Sequence, residues 1–194
     1  MEDSRRRGRR ILLVLAAIFL LPVAIAFAMY YGGMGRPAGS SSEGELITPA
    51  RPLQVAGLKQ PDGAPAGAEV LAGKWTLLYI GDGGCDADCR QALVFARQSR
   101  LALNEKMTRV QRVFLVTGNC CANDYLAAEH PGLITLDASA PEAQALLAQF
   151  PSDRSRSLYI VDPLGNLMMR HDASHTTKGL LSDLKKLLKL SHIG

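Results

Sequence analysis

The sequence predicts an α/β domain with a mixed sheet, carried on a single membrane-spanning helix. Three observations predict it. An uncharged apolar run, Ile11 to Tyr31, lies next to the N-terminus. Two short, continuously apolar segments flank a stretch of helical character, and a hairpin signal is followed by an amphipathic helix near the C-terminus.

Composition narrows the classes. Of 194 residues, 47% are apolar and 21% charged, which excludes a mainly disordered chain. Four cysteines are too few for a small disulfide-stapled scaffold. The net charge of +4 is local to Arg5, Arg6, Arg7, Arg9 and Arg10; from residue 32 onward 17 Lys and Arg stand against 16 Asp and Glu. That remainder lacks the basic stripe of a nucleic-acid surface, so no nucleic-acid partner is expected.

Residues 11–31 are long enough to cross a bilayer core, which takes about 20 apolar residues in a helix. Pro22 is tolerable inside such a helix. Five arginines precede the run and only Arg36 follows closely, so residues 1–10 are expected in the cytoplasm and the rest across the membrane. Ala24-Ile25-Ala26 and Ala26-Phe27-Ala28 resemble signal cleavage sites, but a signal core usually spans about 7–15 residues, and the longer run favours an uncleaved anchor. In a bacterium this places a single-pass protein in the inner membrane with its domain in the periplasm. Residues 32–45, rich in Gly, Ser and Pro, read as a flexible linker. Residues 46–194 then form the domain.

Each element of the domain has its own signal. Gln60-Pro61-Asp62-Gly63 is a turn, predicting an N-terminal hairpin from Leu53–Val55 and Val70–Leu71. Trp75 to Ile80 lacks alternation, as a strand buried on both faces does. Helical character follows from about Asp86 to Met107, and Val110 to Thr117 is a second buried strand, ended by Gly118-Asn119. A helix is predicted at Asp124–Glu129, a short strand at Leu133–Leu136, and a helix at Pro141–Phe150 with Pro at its first position. Leu158–Val161 and Asn166–Arg170 flank the turn Asp162-Pro163-Leu164-Gly165. Thr177–Leu190 carries an apolar stripe of Leu180, Leu181, Leu184, Leu187 and Leu188. A βαβ unit followed by a ββα unit is the thioredoxin-like arrangement.

The chemistry-bearing residues are the cysteines. Cys85 and Cys89 form a C-x-x-x-C motif just after a buried strand, at the start of a helix, where backbone N–H groups lower a thiol pKa. Asp82, Asp86 and Asp88 oppose a thiolate and suit a cationic partner. A redox or metal-binding pair is favoured over an inert disulfide, because so short a loop gains little from stapling. Cys120 and Cys121 are expected at the same sheet edge, as a resolving dithiol, as extra soft ligands, or as accessory thiols. Adjacent cysteines are not expected to bond to each other. His130 is expected near a helix end, His171 and His175 in a loop, and His192 in the tail; Met168 and Met169 read as packing residues.

Leu77-Leu78-Tyr79-Ile80-Gly81 followed by Cys85 to Cys89, His130-Pro131-Gly132-Leu133-Ile134-Thr135-Leu136, and Leu158 to Gly165 resemble the Sco/SenC family of membrane-anchored, copper-handling, thioredoxin-like proteins. The resemblance runs from about Leu53 to the C-terminus. It implies a role in cytochrome c oxidase assembly, with an oxidase subunit or another copper or thiol protein as partner, and Cu(I) as the ion that Cys85 and Cys89 would take. The family's prolines after each Cys are replaced by Asp86 and Arg90. Its Asp-His pair before the hairpin falls on Asp153-Arg154, and Arg cannot ligate a metal; Arg154 would instead stabilise a thiolate. The alternative is a periplasmic thiol–disulfide oxidoreductase of other clients, with Cys85 as nucleophile and Cys89 as resolving thiol. A third reading is a non-catalytic interaction domain.

Overall fold

The computed structural model describes residues 2–32, 42–121, 124–152, 154, 156–174, 177–191 and 193–194. Residues 33–41 of the expected linker, and Asp153, His175 and His192, lie outside the described residues. Two compact units divide the chain, Met1–Ser41 and Ser42–Gly194.

The first unit is the helix α1, Glu2–Tyr31, with Pro22 inside it. Its segment Arg6–Tyr31 is 26 residues long and apolar enough to cross a membrane. At 1.5 Å per residue it spans about 39 Å, more than a hydrocarbon core of about 30 Å. Helix continues through the arginines because nothing between Arg10 and Ile11 breaks it.

The second unit is one eight-stranded mixed sheet with helices on both sides. Its strands are β1 (Glu45–Pro52), β2 (Leu58–Lys59), β3 (Pro65–Ala66), β4 (Trp75–Gly81), β5 (Val110–Val116), β6 (Leu133–Asp137), β7 (Ser157–Val161) and β8 (Asn166–Asp172). The spatial order is β1-β8-β7-β4-β5-β6-β2-β3. Central β4 is parallel to β5, in register from Trp75↔Val110 to Gly81↔Val116, and antiparallel to β7. β6 continues the parallel run beyond β5. Both β4 and β5 therefore end at one edge, where the cysteines follow. The helices of this unit are α2 (Ala87–Leu101), α3 (Asp124–Glu129), α4 (Gln144–Leu147) and α5 (Thr177–Leu190).

Alternate side chains of each central strand feed opposite cores. On one face Leu77, Tyr79, Phe114, Val116 and Leu158 meet Ala92, Leu93 and Ala96 of α2 and Leu180, Leu184 and Leu188 of α5. On the other, Leu78, Ile80, Val113, Leu115 and Tyr159 meet Leu146, Leu147 and Phe150. Each fully buried Leu contributes roughly 1.5–3 kcal/mol, so these layers outweigh the surface contacts in holding the sheet edge in place.

Several elements differ from the sequence expectation. The N-terminal hairpin forms around the expected turn, but its arms are only Leu58–Lys59 and Pro65–Ala66. Asp62 accepts from the Ala64 N–H at 2.9 Å and closes the turn tightly, so pairing begins beside it. Leu53 instead donates its N–H to the Gly165 carbonyl at 2.9 Å, and Val70–Leu71 lie in a 3₁₀ turn. The expected Asp86–Met107 helix stops at Leu101; Asn104 takes φ +52°, a left-handed conformation, and a 3₁₀ turn over Asn104–Arg109 follows. The Pro141–Phe150 helix is a 3₁₀ turn, Pro141–Ala143, running into α4. β1, which sequence reasoning did not assign, is an exposed edge strand containing Pro49 and Pro52, paired to β8 with an irregularity between Leu46 and Arg51.

Candidate functional site

Cys85 lies in the loop leaving β4, and Cys89 in the first turn of α2, as the spacing predicts. The two are joined by a disulfide with their Cα atoms 5.1 Å apart. Both are buried, at 1% and 2% exposure. Cys85 holds φ +48°, a conformation that costs a non-glycine residue energy and recurs at functional sites.

Asp86 is the N-cap of α2: its carboxylate accepts from the Cys89 N–H at 2.9 Å. It is thus more than a repelling charge beside Cys85, since it occupies one of the helix N–H groups that would otherwise favour a thiolate. Asp88 sits 4.0 Å from Arg156, an exposed pair worth little by itself. Arg90 donates from Nε to the Cys85 carbonyl at 3.1 Å, and its guanidinium stands 4.7 Å over the Tyr125 ring. The residue that replaces the resembled family's second proline thus clamps the cysteine loop to α3.

A cavity of about 410 Å³ opens beside the disulfide, lined by Tyr79, Asp82, Cys85, Asp86 and Cys89 among others. Burial pushes the Tyr79 phenol upward, reinforced by Asp86 and Asp88, so it stays protonated. Asp82 is held below the ordinary carboxylate range by the Gly84 N–H at 2.8 Å and by the Asn119 amide at 3.0 and 3.1 Å.

Those Asn119 bonds reach the second cysteine loop. Gly83 donates its N–H to the Gly118 carbonyl at 2.7 Å, and Thr117 donates to the Gly81 carbonyl at 2.9 Å. A Cβ on Gly83 would overlap the Asn119 carbonyl, so glycine is required for the close approach. Asn119 itself takes φ +52°. Cys120 and Cys121 follow at once, both half-buried, and Cys120 packs against the core that contains Cys85 and Cys89. The sulfurs of these two adjacent cysteines are brought together.

Arg154 donates from Nε to the Pro151 carbonyl at 2.9 Å and does not line the cavity beside Cys85. His130 is buried, edge-on to Tyr125, and neither ring nitrogen has a hydrogen-bond partner among the described residues. Burial, then the Arg112 and Arg97 charges, lower its pKa. Arg112, buried in β5, is lowered to about 10, by desolvation first and then by Arg100 and Arg97, and donates to the Pro131 carbonyl at 2.7 Å. His171 is a strand residue rather than a loop one: it lies in β8, with Nε2 3.1 Å from the Met169 sulfur and 3.4 Å from buried Asp183. Asp183 also accepts from the Glu43 and Gly44 N–H groups, tying the start of this unit to α5. A larger cavity of about 790 Å³ adjoins His171 and holds no cysteine. Among the described residues no group of three or more His, Cys, Asp or Glu is placed to hold a metal ion.

Tyr79, Asn119, Tyr125 and Arg156 were not picked out from the sequence as site residues. Gly118-Asn119 carried a signal as the end of a strand, but the partner of Asn119 lies 37 residues away.

Two family models match the chain: "Transmembrane-like, N-terminal domain" over residues 2–33, and "Transmembrane-like, thioredoxin-like, C-terminal domain" over residues 75–191. No curated protein matches by sequence. Among solved structures, apo Sco1 from Thermus thermophilus is 21% identical, with 78% of this chain and 99% of that one covered and a TM-score of 0.61. Yeast Sco1 with copper bound is 19% identical over 78% and 95% of the two chains, with a TM-score of 0.60. BsSco, a member of the Sco family of cytochrome c oxidase assembly proteins in which a disulfide switch has been identified, is 15% identical over 73% and 96%, with a TM-score of 0.52. These likenesses show the fold, a thioredoxin-like one shared with Sco proteins. With the C-terminal model spanning more than half of its residues, the chain belongs to the transmembrane-like, thioredoxin-like family.

Proposed function

We propose that this chain is a membrane-anchored thiol protein that assists cytochrome c oxidase assembly, handling copper or copper-site thiols through Cys85 and Cys89. The anchor sits in a bacterial inner membrane with its N-terminus in the cytoplasm and its domain in the periplasm. The partner is an oxidase subunit or another copper or thiol protein. The observation that carries this reading is the Cys85–Cys89 disulfide at the end of β4 and the first turn of α2, beside a cavity, in the fold of the Sco structures.

The chemistry follows from the two states of that pair. Two electrons and two protons convert the disulfide into two thiols. The N-terminus of α2 favours their ionisation, while the Asp86 cap and Asp88 moderate it. Two thiolates suit Cu(I), a soft ion and here the cargo; the oxidised pair offers no thiolate. Release would accompany reoxidation or transfer to a thiol-rich acceptor.

Arg154, at the position of the resembled family's His, favours a second reading: a thiol–disulfide oxidoreductase acting on other clients, with Cys85 attacking and Cys89 resolving. Anaerobic titration of the full chain in detergent separates the two. The reduced form should bind Cu(I) and the oxidised form none, neither should bind Cu(II) tightly, and Cys85→Ser should abolish Cu(I) binding. Unchanged Cu(I) affinity in Cys85→Ser would overturn the site. A wild type that cycles with thiols yet takes no Cu(I) would favour the oxidoreductase.

A further inference from the structure

Two cysteine pairs stand on adjoining loops, and they differ in access. Cys85 and Cys89 are almost completely buried, whereas Cys120 and Cys121 are half-buried. The loops that carry them are joined by the Gly83 to Gly118 hydrogen bond, by Thr117 to Gly81, and by the Asn119 amide on Asp82. Cys85 and Cys120 each lie two residues from the joined glycines Gly83 and Gly118, and Cys120 packs on the core that includes Cys85 and Cys89. Thiol–disulfide exchange depends on access as much as on acidity. A protein thiol arriving from solvent meets the outer pair far more readily than the inner one.

We infer that Cys120 and Cys121 form a redox relay that carries electrons from an external dithiol to the buried Cys85–Cys89 pair. The inference rests on the redox reading of Cys85 and Cys89. An external dithiol first reduces the Cys120–Cys121 disulfide and is itself oxidised to a disulfide. The Cys120 thiolate then attacks the Cys85 sulfur; a Cys120–Cys85 disulfide forms, and Cys89 leaves as thiolate and takes up a proton. Cys121, deprotonated, attacks the Cys120 sulfur, which re-forms the Cys120–Cys121 disulfide and releases the Cys85 thiolate. The Cys85 thiolate takes up the second proton, so two electrons and two protons have moved inward, and the outer pair is again a disulfide, ready for the next external dithiol. Asp82 and Asn119 are positioning residues in this scheme, holding the donor and acceptor loops together.

The test uses the full chain in detergent. Cys89→Ser combined with Cys121→Ser leaves Cys85 and Cys120 as the only thiols; mild oxidation should join them, giving one cross-linked peptide pair by mass spectrometry. Failure of that cross-link to form would overturn the relay. In parallel, reduced thioredoxin serves as the dithiol probe, too large to enter the cavity. The Cys120→Ser/Cys121→Ser variant should lose its Cys85–Cys89 disulfide roughly tenfold more slowly than the wild type; an equal rate would overturn the relay. A water-soluble phosphine, which needs no relay, distinguishes the two levels. If phosphine opens Cys85–Cys89 in that variant at the wild-type rate, the slow thioredoxin reaction is assigned to the missing outer pair. If phosphine fails to open Cys85–Cys89 in the wild type, the redox reading of that pair falls, and the relay with it.

Discussion

Asp82 shows how one exposed side chain organises the candidate site. Its carboxylate accepts from the Gly84 N–H in its own loop and from the Asn119 amide in the other. Those bonds stabilise the ionised form, so its folded pKa lies below the ordinary value near 3.9. The unfolded chain therefore takes up this proton first as pH falls. The resulting stabilisation is fully present above the unfolded value and is lost as pH drops through the folded one. Asp82→Asn should flatten the acid limb of the stability–pH curve, measured as urea midpoints between pH 5 and 2. An acid limb as steep as the wild type's would show that the two loops do not depend on this charge. Residue-scale legibility follows from sequence separation. Cys85 and Cys89 were readable because spacing, a preceding apolar run and a glycine-rich turn are all local signals. The Asp82–Asn119 contact, the stacking of Arg90 over Tyr125, and the burial of Asp183 arise only when distant segments meet, and no periodicity carries them.

At the scale of elements, α2 sets the electrostatics of the cysteine pair through its first turn. Asp86 caps Cys89 N–H and places a negative charge beside Cys85. Asp86→Ala removes both effects together. It should cost about 1 kcal/mol of stability, as loss of an N-cap does. In the reduced protein it should also lower the Cys85 thiol pKa, because the freed N–H and the lost charge both favour thiolate. The pH dependence of iodoacetamide alkylation reads the second effect independently of the first; a higher thiol pKa would contradict the assignment. The elements with two coincident signals were the ones legible in sequence. The β7–β8 hairpin had flanking apolar runs and the Asp162–Gly165 turn, and α5 had a five-leucine stripe with lysines outside. β1 had neither: two prolines and an exposed pattern hide it, and its place is set by pairing with the free edge of β8. The arms of the β2–β3 hairpin were misplaced because a turn signal fixes where the chain reverses and leaves open how far pairing extends.

The whole molecule joins a cysteine-bearing domain to a helix long and apolar enough to cross a membrane, and the proposed chemistry depends on which side of the membrane that domain occupies. Disulfides persist in oxidising compartments and are reduced in the cytosol. The redox chemistry proposed for Cys85 and Cys89 therefore needs the domain on the exported side. The orienting force is readable from charge. Arg5, Arg6, Arg7, Arg9 and Arg10 sit at one end of the apolar run, and only Arg36 lies close to the other. Positively charged flanks are retained on the cytoplasmic side, and acidic residues count for little, so Glu2 and Asp3 do not offset the arginines. Length favours an anchor over a cleaved leader in the proposed reading: the 26-residue segment Arg6–Tyr31 exceeds what a signal core needs and is long enough to cross a bilayer. Alkaline phosphatase, which requires periplasmic disulfides, should be active when fused after residue 40. Replacing the five arginines by glutamate should reduce that activity by inverting a fraction of the molecules. An inactive wild-type fusion would reverse the orientation and put the cysteine pairs in a compartment that keeps them reduced. A mature N-terminus near Met29 would instead leave the domain exported but untethered, confining any encounter with a membrane-bound oxidase to diffusion from solution.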